Sequence, residues 1–399
     1  MKIIYDHQIF LLQKYGGISR YFTELIRALK GADTNITINA FWADNLHLND
    51  LKKSLSDVKA NINFHNNYNN SPENIPLINF FPNYKKKIFS LLSQHLAKSH
   101  LKAQVQAQSQ VQSKIIYHPT YYNPYFLKAL KGRPFVLTVY DMIHETFPHF
   151  FSKGDKAKEH KKTLLYRANK IIAISESTKR DILKFYSDLD ENNIEVIHLG
   201  PSSFSSGLNS NINFNIKQTF INLPNRYILF VGQRDRYKNF NLFIKAIHPL
   251  LLNKNYDISL VCAGGGDFTS AETTLFCSLG ISNKVFHYTV FDDGLYYLYK
   301  NALCFVFPSL YEGFGLPVLE AFETNTPAIL SNTSSLPEVG GSAACYFNPK
   351  DEKSILDEVS KVIHDKNLRE LMIIKGQEQL KKFSWKTTAQ KTLNVYKNL

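Results

Sequence analysis

A short apolar run that passes through two glycines into a proline-opened helix constrains this chain more than any other stretch. Residues Ala302–Phe307 are apolar and read as a buried strand. Pro308-Ser309-Leu310-Tyr311-Glu312-Gly313-Phe314-Gly315 follows, and Leu316-Pro317-Val318-Leu319-Glu320 starts a helix. Gly313 and Gly315 let the backbone turn tightly and approach a ligand closely. Pro is well placed in a first helical turn. A strand, a glycine turn and a helix N-terminus leave N–H groups and a positive dipole end for an anion. Glu312 in the turn and Glu320 one turn into the helix bracket that position. Phosphate on the N–H groups, with carboxylates reaching hydroxyls on either side, suits a nucleotide sugar.

The same alternation runs through the whole chain and predicts an α/β fold with parallel sheets. Strands are expected at Lys2–Tyr5, Ile36–Phe41, Ile115–His118, Phe135–Val139, Lys170–Ile174 and Ile194–Ile197. Helices are expected at Gly17–Lys30, Phe151–Ala168 and Ser177–Tyr186. The Ser-, Asn- and Gly-rich segment 202–225 reads as a linker. A second series follows, with strands at Tyr227–Val231, Ser259–Ala263, Val285–His287 and Pro327–Ser331. Its helices are expected at Asn239–Leu252, Ser270–Leu279, Asp293–Lys300 and Lys353–Asp365. Phe383–Tyr396 reads as a terminal amphipathic helix. At 399 residues two cores are expected. The division is an N-terminal Rossmann-like domain over 1–201, a C-terminal one over 202–382, and a terminal helix over 383–399. Ligands of such sheets lie at the C-terminal ends of the strands.

The segment from Pro308 to Glu320 resembles, residue for residue, the motif P-S-x-x-E-G-F-G-L-P-x-x-E of the retaining GT-B glycosyltransferases of family 4. The resemblance implies two Rossmann-like domains facing across a cleft, donor in the C-terminal domain and acceptor in the N-terminal one, with the helix over 383–399 packing back on the N-terminal domain. It implies that Glu312 contacts the donor sugar and acts in catalysis, that Glu320 contacts the ribose, and that Gly313, Phe314, Gly315 and Leu316 line the donor. Gly232-Gln233-Arg234-Asp235-Arg236-Tyr237-Lys238 lies just past a strand. It resembles the family's pair of basic residues on the diphosphate, which assigns Arg234 and Lys238 to that role, with Arg236 as competitor. Gly16-Gly17 opens a helix where family members have a glycine pair touching the donor phosphate, which assigns Gly17 to the donor and makes Ser19 and Arg20 neighbours of the sugar or acceptor.

Val139-Tyr140-Asp141-Met142-Ile143-His144 delivers Asp141 and His144 to the cleft edge as catalytic or positioning residues. Many relatives have His where Tyr140 stands, so a catalytic His at that spot is not carried over. Ser175-Glu176-Ser177 reads first as a helix cap. Gly264-Gly265-Gly266 and Tyr288–Phe291 are expected near the nucleotide base.

A retaining transfer needs charge stabilisation and orientation more than a strong base, and no metal or other cofactor is expected. The expected reaction moves a hexose, mannose from GDP-mannose as first choice, to a glycan or lipid-linked glycan. The sequence Tyr5–Phe10 with Tyr15–Tyr21 resembles bacterial mannosyltransferases of surface polysaccharide, including O-antigen, biosynthesis. The alternatives are a UDP-sugar-dependent hexosyl or N-acetylhexosaminyl transferase of the same fold, a metal-dependent transferase using Asp188-Leu189-Asp190, and a glycoside hydrolase or non-catalytic carbohydrate-binding protein using Glu312 and Glu320.

Net charge of +13 is unevenly placed: from Glu73 to Asp141 no acidic residue intervenes, and nine Lys and Arg do. Apolar Ile88, Phe89, Leu91, Leu92, Leu96 and Leu101 interleave with the first of them. The stretch 84–102 therefore points to peripheral contact with an anionic membrane surface, set against a merely solvated basic helix. No nucleic-acid signature accompanies it. No segment reaches the ~18–20 apolar residues of a membrane span, and the four cysteines show no paired spacing. A cytoplasmic protein is expected.

Overall fold

The computed structural model describes residues 1–32, 34–41, 43–55, 62–65, 85–107 (85–88 as backbone only), 114–202, 204, 220 and 222–399. Most of the expected 202–225 linker lies outside them.

Strands β1 (Lys2–Tyr5), β2 (Asn35–Asn39), β3 (Ile62–His65) and β4 (Ile115–His118) form a parallel sheet in the order β3-β2-β1-β4. β1 sits centrally, with Ile3 opposite both Ile36 and Ile116. A parallel bridge from Tyr117 to Phe135 joins it to β5 (Val136–Val139), β6 (Lys170–Ala173) and β7 (Ile194–Val196). The second lobe is a six-stranded parallel sheet in the order β10-β9-β8-β11-β12-β13. Its strands are β8 (Tyr227–Val231), β9 (Ser259–Ala263), β10 (Val285–Tyr288), β11 (Cys304–Phe307), β12 (Ala328–Ser331) and β13 (Cys345–Phe347). β1, β4, β5, β8, β9, β11 and β12 carry near-continuous apolar runs because helices cover both faces of a parallel sheet.

Two helices end the chain. Lys366–Leu380 was not anticipated, and neither were β3 and β13, each only three or four residues long. The helix expected over Phe151–Ala168 is shorter, Ala157–Leu165. Pro148–Phe150 forms a 3-10 turn, Phe151 is extended, and the Asp155 carboxylate takes the Ala157 amide at 2.8 Å.

The terminal helix Trp385–Lys397 crosses back to the first lobe. Its Tyr396 hydroxyl meets Tyr5 at 2.9 Å and His118 Nδ1 at 2.6 Å, while the Trp385 indole donates to the Pro201 carbonyl at 2.7 Å. A Cβ on Gly200 would stand 2.4 Å from the Trp385 amide nitrogen, so only glycine allows this approach. One buried apolar cluster runs from Ile3 through Tyr140 to Phe314, Leu319 and Trp385, and it joins the two lobes.

Candidate active site between the lobes

The turn after β11 is pressed against the strand ends of the other lobe. Its Gly313 carbonyl accepts from the Ser175 hydroxyl at 2.7 Å and from Thr178 at 3.2 Å. Ser175 follows β6 and is the N-cap of the helix Glu176–Phe185, so a residue expected as a helix cap also ties the lobes. The Tyr311 hydroxyl accepts from the Met142 amide at 3.1 Å and donates to Asp181 at 2.7 Å. Inside its own lobe the turn is braced by Ser334, which accepts from the Glu312 amide, and by Ser335, which donates to the Glu312 and Phe314 carbonyls.

Two helix N-termini meet at this seam. Gly315, at φ +107°, precedes the helix Leu316–Glu323, and Gly17 begins the helix Gly17–Ala28. A Cβ on Gly17 would contact Leu316 Cδ1 at 3.7 Å. The first amides of a helix have no acceptor a full turn back, and both dipole ends favour negative charge here; on Leu316–Glu323, though, Pro317 has no N–H and the Val318 amide donates to the Gly315 carbonyl at 2.9 Å. On Gly17–Ala28 one of those amides, Ser19, is already taken by the Gln13 side chain at 3.1 Å.

Lys238 and Glu312 pair at 2.6 Å beside the turn, both largely shielded. Lys238 comes from the loop after β8 and Glu312 from the loop after β11, adjacent strands whose ends bring the two together. The ammonium also lies 5.1 Å from the centres of the Tyr237 and Phe307 rings.

Arg234, expected on the diphosphate, is engaged within its own lobe. Its Nε donates to Glu272 at 2.6 Å, Nη1 to the Gly264 carbonyl at 2.9 Å, and Nη2 to the Gly266 and Asp267 carbonyls at 2.8 and 2.9 Å. The side chain is 3% exposed. Four of five N–H groups are thus spent, one on Glu272 and three on the glycine loop, whose Gly264, Gly265 and Gly266 all have positive φ and whose Gly264, Gly266 and Asp267 carbonyls turn toward the guanidinium. Arg234 is a brace for that loop. Burial works against the Glu272 charge, but Arg234 and Thr269 outweigh it and hold the carboxyl below its usual range. Arg236, the competitor, is half exposed and lies 5.8 Å from the Phe151 ring of the other lobe.

Glu320 is buried in a network that reaches across the seam. Its Oε1 accepts from Ser202 at 2.6 Å and from Arg20 Nη1 at 3.4 Å, and its Oε2 accepts from Tyr299 at 3.1 Å. Burial raises its pKa, and Arg20, Ser202 and Tyr299 offset this only in part. Arg20 also pairs with Asp292 and donates to Tyr15 at 2.8 Å.

Asp141 lies beside the turn: a Cβ on Gly313 would sit 3.0 Å from its Cβ. Its carboxylate takes the Ile143 amide at 3.1 Å. Its carbonyl accepts from Lys161 at 2.9 Å, a fully buried lysine paired with Glu145 at 2.8 Å. Nothing in the lysine-rich 156–162 segment distinguishes Lys161. His144 stacks on Phe151 at 3.9 Å and faces Asp155 at 3.5 Å, so its described contacts lie on the first lobe's own wall.

Asp155 also lines a cavity of about 1190 Å³ at the end of β1. His7, Gln8, Asn123, Asp155 and His160 supply polar groups, and Phe10, Phe89 and Tyr121 supply rings. The cavity shares Gln13 and Ile18 with the Gly16-Gly17 turn. Burial holds the His7 imidazole below its ordinary value, and its Nδ1 is buried without a partner among the described residues.

The basic segment forms the helix Lys85–Ala107, and the side chains of Lys85, Lys86, Lys87 and Ile88 lie outside the described residues. Leu91 is 58% and Leu92 37% exposed, and His95, Ser99 and Lys102 are exposed further along. Among the described residues no helix is long and apolar enough to cross a membrane. Asp188 accepts from Tyr166 and Asp190 caps the short 3-10 turn before β7. Both are therefore at the N-terminal edge of the strands, opposite the seam.

A family model described as Glycosyltransferase Family 4 matches residues 15–201, and one described as Glycosyl transferases group 1 matches 211–379. They leave only 1–14, 202–210 and 380–399 outside. The O-antigen chain mannosyltransferase B of Escherichia coli is 29% identical over 71% of this chain and 74% of its own. The serotype-specific mannosyltransferase WbdA of Escherichia coli is 30% identical over 58% of this chain, which spans only 29% of that longer protein. The crystal structure of Anabaena Alr3699/HepE in complex with UDP and glucose superposes with a TM-score of 0.68 at 15% identity, covering 100% of both chains. With the two lobes, the opposed helix N-termini and both family matches in place, the chain belongs to the family 4 glycosyltransferases of the GT-B fold.

Proposed function

We propose that this enzyme moves a hexose, mannose from GDP-mannose as first choice, onto a glycan or lipid-linked glycan acceptor with retention of configuration and without a metal ion. The observation that carries the reading is the meeting of two helix N-termini with the Lys238–Glu312 pair beside them. A diphosphate there is met by N–H groups from both lobes and by the Lys238 ammonium. As the sugar–phosphate bond breaks, charge grows on the departing oxygen, and these fixed donors stabilise it. That oxygen can take the proton of the incoming hydroxyl on the same face of the sugar. Glu312 orients the sugar and Glu320 the ribose. Arg234 acts through the glycine loop. Asp141, held by Lys161, faces the sugar side.

Mannose is favoured by the mannosyltransferases among the relatives. The ring- and amide-lined cavity of the first lobe suits a sugar acceptor. The exposed Leu91 and Leu92 on the helix that also carries Lys102 suit a peripheral approach to anionic lipid. The hydrolase alternative loses support, because Glu320 is enclosed by Ser202, Arg20 and Tyr299 rather than open to water.

The test is a panel of nucleotide sugars read by thermal stabilisation and then by transfer to lipid-linked oligosaccharides. A bound donor raises the melting temperature in step with its affinity. GDP-mannose is expected to give the largest shift, and transfer is expected to survive EDTA. Stabilisation by a UDP-sugar alone would replace the donor, and full loss in EDTA restored by manganese would overturn metal independence.

A further inference from the structure

Arg20 is buried in the first lobe, yet its charge partners both belong to the second. Its guanidinium forks: Nη1 faces Glu320 Oε1 at 3.4 Å, and Nη2 is held by Asp292 and by Tyr15 at 2.8 Å. The Arg20 side chain is 6% exposed and that of Asp292 46%, so Asp292 anchors the fork from the rim. Ser202 donates to the same Oε1 as Arg20, at 2.6 Å, and Tyr299 donates to Oε2 at 3.1 Å. A carboxylate offers about four acceptor directions. Among the described residues three are filled, two on Oε1 and one on Oε2, which leaves one direction on Oε2 for a ligand.

We propose that Arg20 is a positioning residue that fixes Glu320, from across the seam, to accept a single ribose hydroxyl of the donor. The proposal rests on the reading that Glu320 meets that ribose. Because Arg20 arrives with the first lobe, Glu320 is correctly aimed only when the lobes are together. Ribose recognition and lobe approach are thereby one event. A purely structural ion pair would cost stability when broken but would not alter which hydroxyl is sensed.

The experiment measures calorimetric affinity for whichever of GDP and UDP binds, and for its 2′-deoxy and 3′-deoxy forms. In the unmodified enzyme one deoxy form is expected to bind at least about tenfold more weakly, the loss of one hydrogen bond to a charged group, and the other within about threefold. Arg20→Ala is expected to bring the two deoxy forms within about threefold of each other and to raise donor KM about tenfold, with a smaller change in kcat. Arg20→Lys is expected to recover melting temperature without recovering the discrimination, since an ammonium cannot fork between Glu320 and Asp292. If Arg20→Ala does not fold, Asp292→Asn at the rim is read instead and is expected to halve the discrimination or more. Undiminished discrimination in Arg20→Ala, or in Asp292→Asn where that is the variant read, overturns the proposal. Equal binding of all three diphosphates by the unmodified enzyme removes the ribose role of Glu320 and the proposal with it. Binding of neither GDP nor UDP removes the donor reading itself.

Discussion

Gly313 stands against the main-chain carbonyl of Tyr140 so closely that a Cβ on Gly313 would lie 1.7 Å from that oxygen. The contact joins the turn after β11 to the end of β5, across the seam. No side chain fits, and the obstacle is backbone on both sides.

Gly313→Ala is therefore expected to push the lobes apart without harming either core. A misplacement of about 1 Å costs on the order of a hundredfold in rate. Turnover should fall by about that much, while the radius of gyration from solution scattering rises and the far-ultraviolet circular dichroism stays unchanged. Normal turnover in this variant would show that the closed seam is not the working arrangement.

Lys238 and Glu312 share one short contact at the position assigned to the diphosphate and sugar. Lys238→Ala and Glu312→Gln are each expected to lower kcat by about 10²–10³-fold, the range for removing one group that stabilises developing charge. The double variant should be little worse than either single, since the two act as a unit. Single-turnover rates with saturating donor measure this, and additive losses would show independent roles.

Arg234 predicts a different phenotype from Lys238. Its removal leaves the Glu272 carboxylate and three inward carbonyls without their donor. Arg234→Ala is expected to cost about 3–5 kcal/mol of stability, the range for breaking a buried pair, read by urea unfolding. Turnover is expected to fall at least about tenfold as the glycine loop loosens. A variant that kept its stability and lost only activity would return Arg234 to the diphosphate.

Glu338 supplies a pH test of lobe contact. Its carboxylate, from the short helix Leu336–Gly340 after β12, accepts from the Glu176 and Ser177 amides at 2.8 and 3.2 Å and from His198 Nε2 at 2.6 Å. Burial opposes its charge, but the His198 contact and the two amides prevail, and its pKa lies below the ordinary 4.5. Folding thus weakens its hold on a proton. The stabilisation is complete above that ordinary value and is lost as pH falls through the lowered folded value. The melting temperature of the unmodified enzyme should therefore drop more steeply than that of Glu338→Gln as pH falls below about 4.5. Parallel curves would show that this carboxylate does not couple the lobes.

Much of the architecture was legible before any coordinates. Strands such as Tyr227–Val231 and Ala302–Phe307 announce themselves through local apolar runs, and Gly315 with Pro317 marks a turn into a helix. These are short-range properties, carried by residues a few positions apart. Gly17 was placed on the donor through the family resemblance, and its closeness to Leu316 emerged only with the assembled lobes. β3 and β13 were missed because a strand of three or four residues carries almost no periodicity.

What the chain's letters determine is thus the alternation of elements and the presence of two glycine turns opening helices. Only the tertiary structure decided which charges meet. Arg234 finds Glu272 across 38 positions and Arg20 finds Asp292 across 272, and no local pattern separates such a cation from one left free for a ligand. Helix and strand propensities act between neighbours along the chain. An ion pair depends on where two backbones are carried in space, so Arg234 bracing its loop and Lys238 paired beside the turn look alike until the lobes are assembled.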